Sequence, residues 1–300
     1  LGPNGAGKTT TIKVFATLLS PTGGEVRVNG FDVTAEPRKV RESIGYMAQE
    51  TSVDPELTAR ENIRFACEAY GVPKSERADR IDELLDLVDL ADVADKEAEE
   101  FSGGMKKRLD AASVLVHRPP VVFLDEPTTG LDPEARLRLW EYFKRINDRG
   151  TTVFLTTQYL EEADELCDRL SLLQDGQVIA TGSPDALKSE FGTDRFEITL
   201  ENPVQKHIER AVRAVRRIDA LDESAIRTTD DGLAVRSARA REAASECFAA
   251  LDDAGVSVSD FDVRSPTLND VFLALTDDSS ESGDRTETGT ASLSTREVSV

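Results

Sequence analysis

Residues 2–9 read GPNGAGKT and give the strongest indication of the fold of this chain. This segment fits the pattern Gly-x-x-x-x-Gly-Lys-Thr, in which glycines allow successive backbone N–H groups to face phosphate oxygens. The helix expected after it adds the positive end of its dipole. A glycine-rich turn before a helix is the plain alternative, but such a turn requires neither the lysine nor the threonine. The stretch therefore predicts a nucleotide-phosphate site in an α/β fold with a largely parallel sheet.

Two side chains of this phosphate loop carry specific chemistry. Lys8 would reach the β- and γ-phosphates, and the Thr9 hydroxyl would be a ligand of Mg²⁺. The expected nucleotide-binding residues of this region are Gly2, Pro3, Asn4, Gly5, Ala6, Gly7, Lys8, Thr9 and Thr10.

A second motif is the apolar run VVFLDE, residues 121–126, which predicts a buried strand ending in two acids. Asp125 is placed to organise Mg²⁺ at the end of that strand. Glu126 would act as general base, or orient the attacking water. An isolated Asp-Glu pair would indicate only surface acids. The phosphate loop upstream and PTTGLDP, residues 127–133, favour the catalytic interpretation.

A third motif, Ser102-Gly103-Gly104, begins a predicted helix. Serine is a good helix cap, and glycine allows close approach of another group. The start of such a helix also presents N–H groups to an anion. On its own, the motif predicts only a helix cap with a flexible entry.

The three motifs, in this order, resemble the ATP-binding subunits of ABC transporters from Leu1 to about Phe191. The resemblance implies a P-loop ABC ATPase domain with a helical subdomain over about residues 51–108, which would dock on a membrane protein. It also implies a head-to-tail dimer. Each ATP would lie between the phosphate loop of one subunit and the S-G-G helix of the other.

The same resemblance implies roles for single residues. Ser102, Gly103 and Gly104 would contact the γ-phosphate held by the partner subunit. Gln49 matches the glutamine that senses Mg²⁺ and water near the contact with the membrane subunit. Asp132 matches the aspartate that communicates across the dimer.

Two positions depart from the general family: Met105 stands where glutamine is usual, and Gln158 stands where histidine is usual. A glutamine can donate a hydrogen bond to a γ-phosphate, but its amide neither takes up nor releases a proton at neutral pH. Gln158 therefore counts as a candidate catalytic residue without acid–base capacity. Glu126 remains the main activator of water.

Three longer segments resemble the daunorubicin-resistance branch of ABC exporters: FSGGMKKRL at 101–109, LTTQYLEEADELCDRL at 155–170 and PTLNDVFLALT at 266–276. The resemblance implies ATP and Mg²⁺ as cofactors and ATP hydrolysis coupled to efflux of a drug or lipid. It implies a separate ABC-2 type permease in the membrane, through which this protein would be held at the cytoplasmic face of the cell membrane. A homodimer is feasible, because Glu126 and the S-G-G motif are both present.

The domain organisation changes after residue 192. The pattern over residues 193–276 predicts strands and helices in the order β-α-β-β-α-β, a small α+β ferredoxin-like domain. Residues 277–300 have almost no large apolar side chain, which predicts a disordered acidic tail. No strand precedes the phosphate loop, so the chain is interpreted as N-terminally truncated. One alternative is that the chain as given is inactive.

Composition excludes several classes of function. Acids outnumber bases by 57 to 36, a net charge of -21, which argues against binding of nucleic acid. The same balance is typical of halophilic proteins or of an ordinary acidic cytosolic protein. Three isolated cysteines predict neither disulfides nor a metal cluster. No apolar run reaches the roughly 20 residues of a membrane span, so we expect a soluble protein inside the cell.

A non-transport ABC ATPase, acting in DNA repair or on ribosomes, is the alternative from another functional class. Such proteins have long coiled-coil insertions or two ATPase domains, and the sequence contains neither.

Overall fold

The computed structural model describes residues 1–192, 194–218, 226–236 and 240–281, in two compact units. Among the described residues, the first unit consists of residues 1–167 and 171–179, and the second of residues 168–170 and those between 180 and 281. The helices are α1 (Lys8–Phe15), α2 (Pro37–Ser43), α3 (Ala59–Ala69), α4 (Arg77–Leu87), α5 (Gly103–Ser113), α6 (Pro133–Asp148), α7 (Leu160–Leu166), α8 (Pro184–Phe191), α9 (Gln205–Val215), α10 (Ala240–Asp253) and α11 (Leu268–Glu281). The strands are β1 (Arg27–Val28), β2 (Phe31–Asp32), β3 (Ile44–Met47), β4 (Val121–Asp125), β5 (Thr152–Thr156), β6 (Leu170–Gln174), β7 (Gln177–Gly182), β8 (Arg195–Leu200), β9 (Ile226–Thr228), β10 (Gly232–Arg236) and β11 (Val258–Arg264).

The first unit is built on a parallel sheet in the order β3-β4-β5. The central strand β4 is buried at every position, as its apolar sequence predicts for a strand covered on both faces. Since the strands are parallel, their carboxyl ends meet at one edge. Met47 pairs with Leu124, and Asp125 pairs with Thr156, so the residues that follow these strands lie at the same edge.

The phosphate loop starts beside this sheet. The N–H of Gly2 donates to the carbonyl oxygen of Thr157 at 3.3 Å. The N–H of Leu173 donates to the carbonyl oxygen of Leu1 at 2.7 Å. These bonds hold the first two residues between the end of β5 and β6. The strands β6 and β7 form a two-stranded sheet around the turn Asp175-Gly176.

The helical part of the first unit packs α3, α4 and α5 around fully buried side chains such as Ile63, Leu84 and Leu109. Its first helix starts at a capping box: the Thr58 side chain accepts from the Glu61 N–H, and the Glu61 carboxylate accepts from the Thr58 N–H.

The second unit contains a four-stranded antiparallel sheet in the order β11-β8-β10-β9. With α9 after β8 and α10 after β10, this is the ferredoxin-like arrangement that the sequence pattern predicts. The alternation in RFEITL buries Phe196, Ile198 and Leu200 beneath the helices. In the same unit, α8 packs on α11.

The last helix, α11, continues to Glu281, beyond the predicted end of the second domain at residue 276. The helix is started by a capping box in which the Thr267 N–H donates to the Asp270 carboxylate and the Asp270 N–H donates to the Thr267 hydroxyl. Once a helix is nucleated, each added residue contributes a hydrogen bond, so it extends into a polar sequence. The rest of the predicted tail, residues 282–300, lies outside the described residues.

Across the part of the chain that the structure describes, no helix combines the length and the apolar character needed to cross a membrane.

We expect Phe196→Ala to lower the free energy of unfolding of the second unit by about 3–5 kcal/mol, because it removes a fully buried aromatic ring from the sheet face. Urea denaturation followed by circular dichroism measures the change. Val204→Ala is the control, since Val204 is 49% exposed and its truncation should change stability by less than about 0.5 kcal/mol. Equal effects of the two substitutions would contradict the packing described for this sheet.

Candidate nucleotide-binding and hydrolysis site

The phosphate loop has a backbone that glycine makes possible. Gly5 and Gly7 have φ angles of 83° and 100°, in the left-handed region. A Cβ on Gly2 would lie 2.2 Å from the carbonyl oxygen of Leu173, so a side chain there would push the loop off β6. The loop then enters α1 at Lys8, where the free N–H groups of the first turn would face a bound anion.

The loop borders an open cleft of about 430 Å³. The cleft combines residues from the loop with residues that follow β3, β4 and β5. Its lining residues are Asn4, Gly5, Gly7, Lys8, Thr9, Thr10, Gln49, Glu126, Thr129 and Gln158. Of the expected loop residues, Gly2, Pro3 and Ala6 do not line it; Gly2 and Ala6 are buried beneath the loop.

The Lys8 ammonium is the positive centre of the cleft. Its Nζ lies 3.2 Å from Oε1 of Glu126 and donates to the carbonyl oxygens of Gly2 at 2.8 Å and Pro3 at 3.0 Å. Both charged side chains of the pair are less than a tenth exposed. A buried ion pair is stable only when its remaining hydrogen bonds are satisfied, and the loop carbonyls satisfy the lysine. The ammonium is therefore held where phosphate oxygens would meet it.

Asp125 and Thr9 present two oxygen atoms at the end of β4. The Thr9 hydroxyl donates to Oδ1 of Asp125 at 3.2 Å, and the Thr156 hydroxyl donates to the same oxygen at 2.6 Å. A carboxylate and a hydroxyl are the hard oxygen ligands that Mg²⁺ prefers. The donor set therefore fits Mg²⁺. Burial, and next the charge of Asp125, raise the pKa of the neighbouring Tyr46 phenol.

Glu126 occupies a strained turn after β4. Its φ angle is 48°, and its N–H donates to both the carbonyl oxygen and the hydroxyl of Thr156 at 3.1 Å. A non-glycine residue in this region persists only when its surroundings hold it there. Its carboxylate accepts from Gln49 Nε2 at 3.3 Å and from the Thr129 hydroxyl at 3.4 Å. The carboxylate is thus oriented by side chains that follow two different strands.

The S-G-G motif does not line the cleft of its own chain. Ser102 caps α5, with its Oγ accepting from the Met105 N–H at 3.3 Å, and both Ser102 and Gly103 are exposed. A Cβ on Gly104 would lie 2.8 Å from the Cβ of Ala135, so this glycine is also required for the close packing of α5 on α6. Helix capping and helix packing therefore account for part of the motif.

Two further predicted positions have structural partners. Asp132 caps α6, with Oδ1 accepting from the Ala135 N–H at 2.9 Å, and it lies outside the cleft lining. Met105 packs, partly buried, against the helical core, a contact that suits a thioether better than an amide.

Sequence reasoning missed Glu162, a fully buried acid on α7. Its Oε1 accepts from the Thr128 hydroxyl at 2.8 Å and from the Trp140 indole N–H at 2.9 Å. Glu162 thereby joins the turn after Glu126 to α6 and α7. The sequence carries no signal that separates it from the adjacent, exposed Glu161, because only packing decides which of the two faces inward.

We expect Glu162→Ala to destabilise the first unit, because it leaves two buried donors unpaired at about 1–3 kcal/mol each. Glu162→Gln should cost clearly less, since an amide oxygen can replace Oε1. The chain has one tryptophan, Trp140, so its fluorescence during urea unfolding reports this contact directly. If the glutamine variant is as unstable as the alanine variant, loss of the hydrogen-bond acceptor at position 162 does not explain the loss of stability.

Comparison with known proteins matches both units. Residues 1–129 match the family described as ABC transporter. Residues 182–276 match the family described as ATP-binding protein DrrA1-3-like, C-terminal domain.

Individual relatives cover most of the chain. It is 43% identical over 278 residues to the daunorubicin resistance ATP-binding protein DrrA3 of Streptomyces coeruleorubidus, covering 93% of this chain and 86% of that protein. It is 43% identical over 204 residues to the Nod factor export ATP-binding protein I of Burkholderia orbicola, covering 68% of this chain and 67% of that protein. Among solved structures, a dimeric ATP-binding cassette in a post-hydrolysis state with ADP and Pi aligns with a TM-score of 0.54 and 29% identity, covering 61% of this chain and 82% of the other.

Proposed function

Because this chain belongs to the ATP-binding subunits of ABC transporters and has their ATPase fold, we propose that it powers efflux of a drug, lipid or other hydrophobic compound through a separate ABC-2 type permease. The observation that carries the proposal is the cleft in which Lys8 and Glu126 lie 3.2 Å apart, beside Gln49 and Gln158. A non-transport ATPase is not favoured, because relatives at 43% identity are named for resistance or export.

The cleft suits phosphoryl transfer to water. Lys8 would neutralise the β- and γ-phosphate oxygens, and the loop N–H groups would hold them. The Glu126 carboxylate would take a proton from the attacking water, while the bond from the γ-phosphorus to the leaving ADP oxygen breaks. Gln49 and Thr129 orient that carboxylate by hydrogen bonds.

Mg²⁺ would be held by Thr9 and Asp125, with Gln49 close by, and would supply charge neutralisation at the phosphates. Gln158 lines the cleft and would hydrogen-bond the γ-phosphate without transferring a proton. Proton abstraction therefore rests on Glu126.

A second subunit would complete the site. Ser102 and Gly103 are exposed at the start of α5, where their N–H groups are open to the ATP of a partner. The solved relative is a dimer. We propose a head-to-tail homodimer in which Asp132, which caps α6, communicates between the subunits.

The permease would dock on the helical subdomain, about residues 51–108, and hold the protein at the cytoplasmic face of the membrane. Residues 1–192 would form the ATPase domain and residues 193–276 an accessory domain that regulates or spaces the dimer. The acidic net charge of -21 is unsuited to nucleic acid.

We expect Glu126→Gln to reduce Mg²⁺-dependent ATP hydrolysis at least about 100-fold, because it removes the general base. ATP binding should persist, and size-exclusion chromatography with ATP should show a dimer. Glu134→Gln, an exposed acid on α6, is the control and should hydrolyse ATP normally. Substantial hydrolysis by Glu126→Gln would assign the base to another residue.

We expect cells that express the chain with its permease to extrude a hydrophobic dye or drug, and to lose this ability with Glu126→Gln. Fluorescence of retained dye measures the efflux. ATPase activity stimulated by DNA or ribosomes, and unaffected by the permease, would instead favour the non-transport alternative.

A further inference from the structure

Two buried charges on α5 hold the segment that contains Gln49. Lys107 is 9% exposed and Asp110 is 1% exposed. Lysine and aspartate are rarely buried unless they are paired. The Lys107 ammonium donates to the carbonyl oxygen of Gln49 at 2.5 Å, and Oδ1 of Asp110 accepts from the Ser52 hydroxyl at 2.5 Å. Both contacts join one helix to one short segment of chain.

That segment depends on these contacts for its conformation. Residues 48–53 form neither helix nor strand, so no backbone ladder fixes them. The Ser52 N–H also donates to both carboxylate oxygens of Asp110 at 3.4 Å. Burial raises the pKa of Asp110 in spite of the Ser52 hydrogen bonds, so its burial is unfavourable by itself. The arrangement is consistent with a positioning role.

The held segment reaches the hydrolysis site. The Gln49 side chain donates to Oε2 of Glu126 at 3.3 Å, while its own carbonyl oxygen is held by Lys107. A single residue, Gln49, therefore connects Lys107 to the proposed general base, Glu126. Displacement of the Gln49 backbone would move the amide that orients Glu126.

The other end of the same helix is the S-G-G motif. Ser102 caps α5, and Lys107 and Asp110 lie on its second and third turns. The helix has 11 residues and is about 16.5 Å long at 1.5 Å per residue, and its backbone hydrogen bonds connect its first turn to the turns that carry Lys107 and Asp110. A shift of its first turn would therefore be carried to the segment at residues 49–52.

We propose that Lys107 and Asp110 are positioning residues that couple the S-G-G end of α5 to Glu126 through Gln49, and so link the two ATP sites of the dimer. The proposal rests on the proposed head-to-tail dimer. Binding of the partner's ATP at Ser102–Gly104 would set the orientation of Gln49 in the chain's own site.

A matched control lies on the same helix. Arg108 is also 9% exposed and also donates to backbone carbonyl oxygens, those of Val88 at 2.7 Å and Asp89 at 3.3 Å. Its contacts are with the end of α4 and not with the segment at residues 49–52. Lys107→Met and Arg108→Met both remove a buried cation, but only the first releases Gln49.

The experiment measures ATP hydrolysis by the purified dimer as a function of Mg²⁺ and ATP concentration, together with the melting temperature. For Lys107→Met we expect kcat to fall about ten-fold, because a displaced orienting group misaligns the base. The Mg²⁺ concentration for half-maximal activity should rise, and the Hill coefficient for ATP should fall toward one. The dissociation constant for ATP without Mg²⁺ should change less than about two-fold, since the phosphate loop is intact.

Two further variants separate positioning from folding. Lys107→Arg keeps a donor and should recover part of the Mg²⁺ dependence and the Hill coefficient. Ser52→Ala, on an exposed residue, should lower kcat in the same direction but less, because the Ser52 N–H still reaches Asp110. Arg108→Met should lower the melting temperature but should keep the Mg²⁺ dependence and the Hill coefficient of the wild type.

The coupling is overturned if Lys107→Met and Arg108→Met lose activity only in proportion to their melting temperatures. It is also overturned if Lys107→Met keeps the Mg²⁺ dependence and Hill coefficient of the wild type. A wild-type protein that hydrolyses no ATP with Mg²⁺ would overturn the proposed function itself, and the coupling with it.

Discussion

The parallel pairing of β3, β4 and β5 is the constraint on which the rest of the site depends. Parallel strands deliver their carboxyl ends to one edge of the sheet, whatever lies between them in sequence. Glu126 directly follows β4, and Gln49 and Gln158 follow their strands by two residues. The phosphate loop lies at the same edge through the hydrogen bond from the Gly2 N–H to Thr157. A cleft with an ammonium, a carboxylate and two amides results from this topology.

The site stores backbone strain and restrains it with neighbouring side chains. Glu126 sits at a positive φ, and Thr156 holds its N–H while Gln49 and Thr129 hold its carboxylate. The buried acid Glu162 fixes the following turn through Thr128. The orientation of Glu126 therefore depends both on residues that line the cleft and on residues outside its lining, such as Thr156.

The helix α5 illustrates how one motif satisfies structural and functional demands together. Its serine caps the helix, and Gly104 permits contact with Ala135 on α6. The same first turn remains exposed, which suits contact with a second subunit. Farther along, the buried charges of α5 hold the segment around Gln49. The same helix, α5, therefore serves both the packing within the subunit and the proposed communication between subunits.

The patterns of the amino-acid sequence were enough to predict the α/β class, the phosphate loop, the acids after β4, the S-G-G helix start and the β-α-β-β-α-β order of the second unit. These features depend on short spacings and local periodicity, which a single sequence displays. The structure adds that Lys107 meets Gln49, 58 positions away, and that Glu162 rather than Glu161 is buried. Those outcomes depend on which faces pack together, and the free energy of packing is shared among residues far apart in the chain.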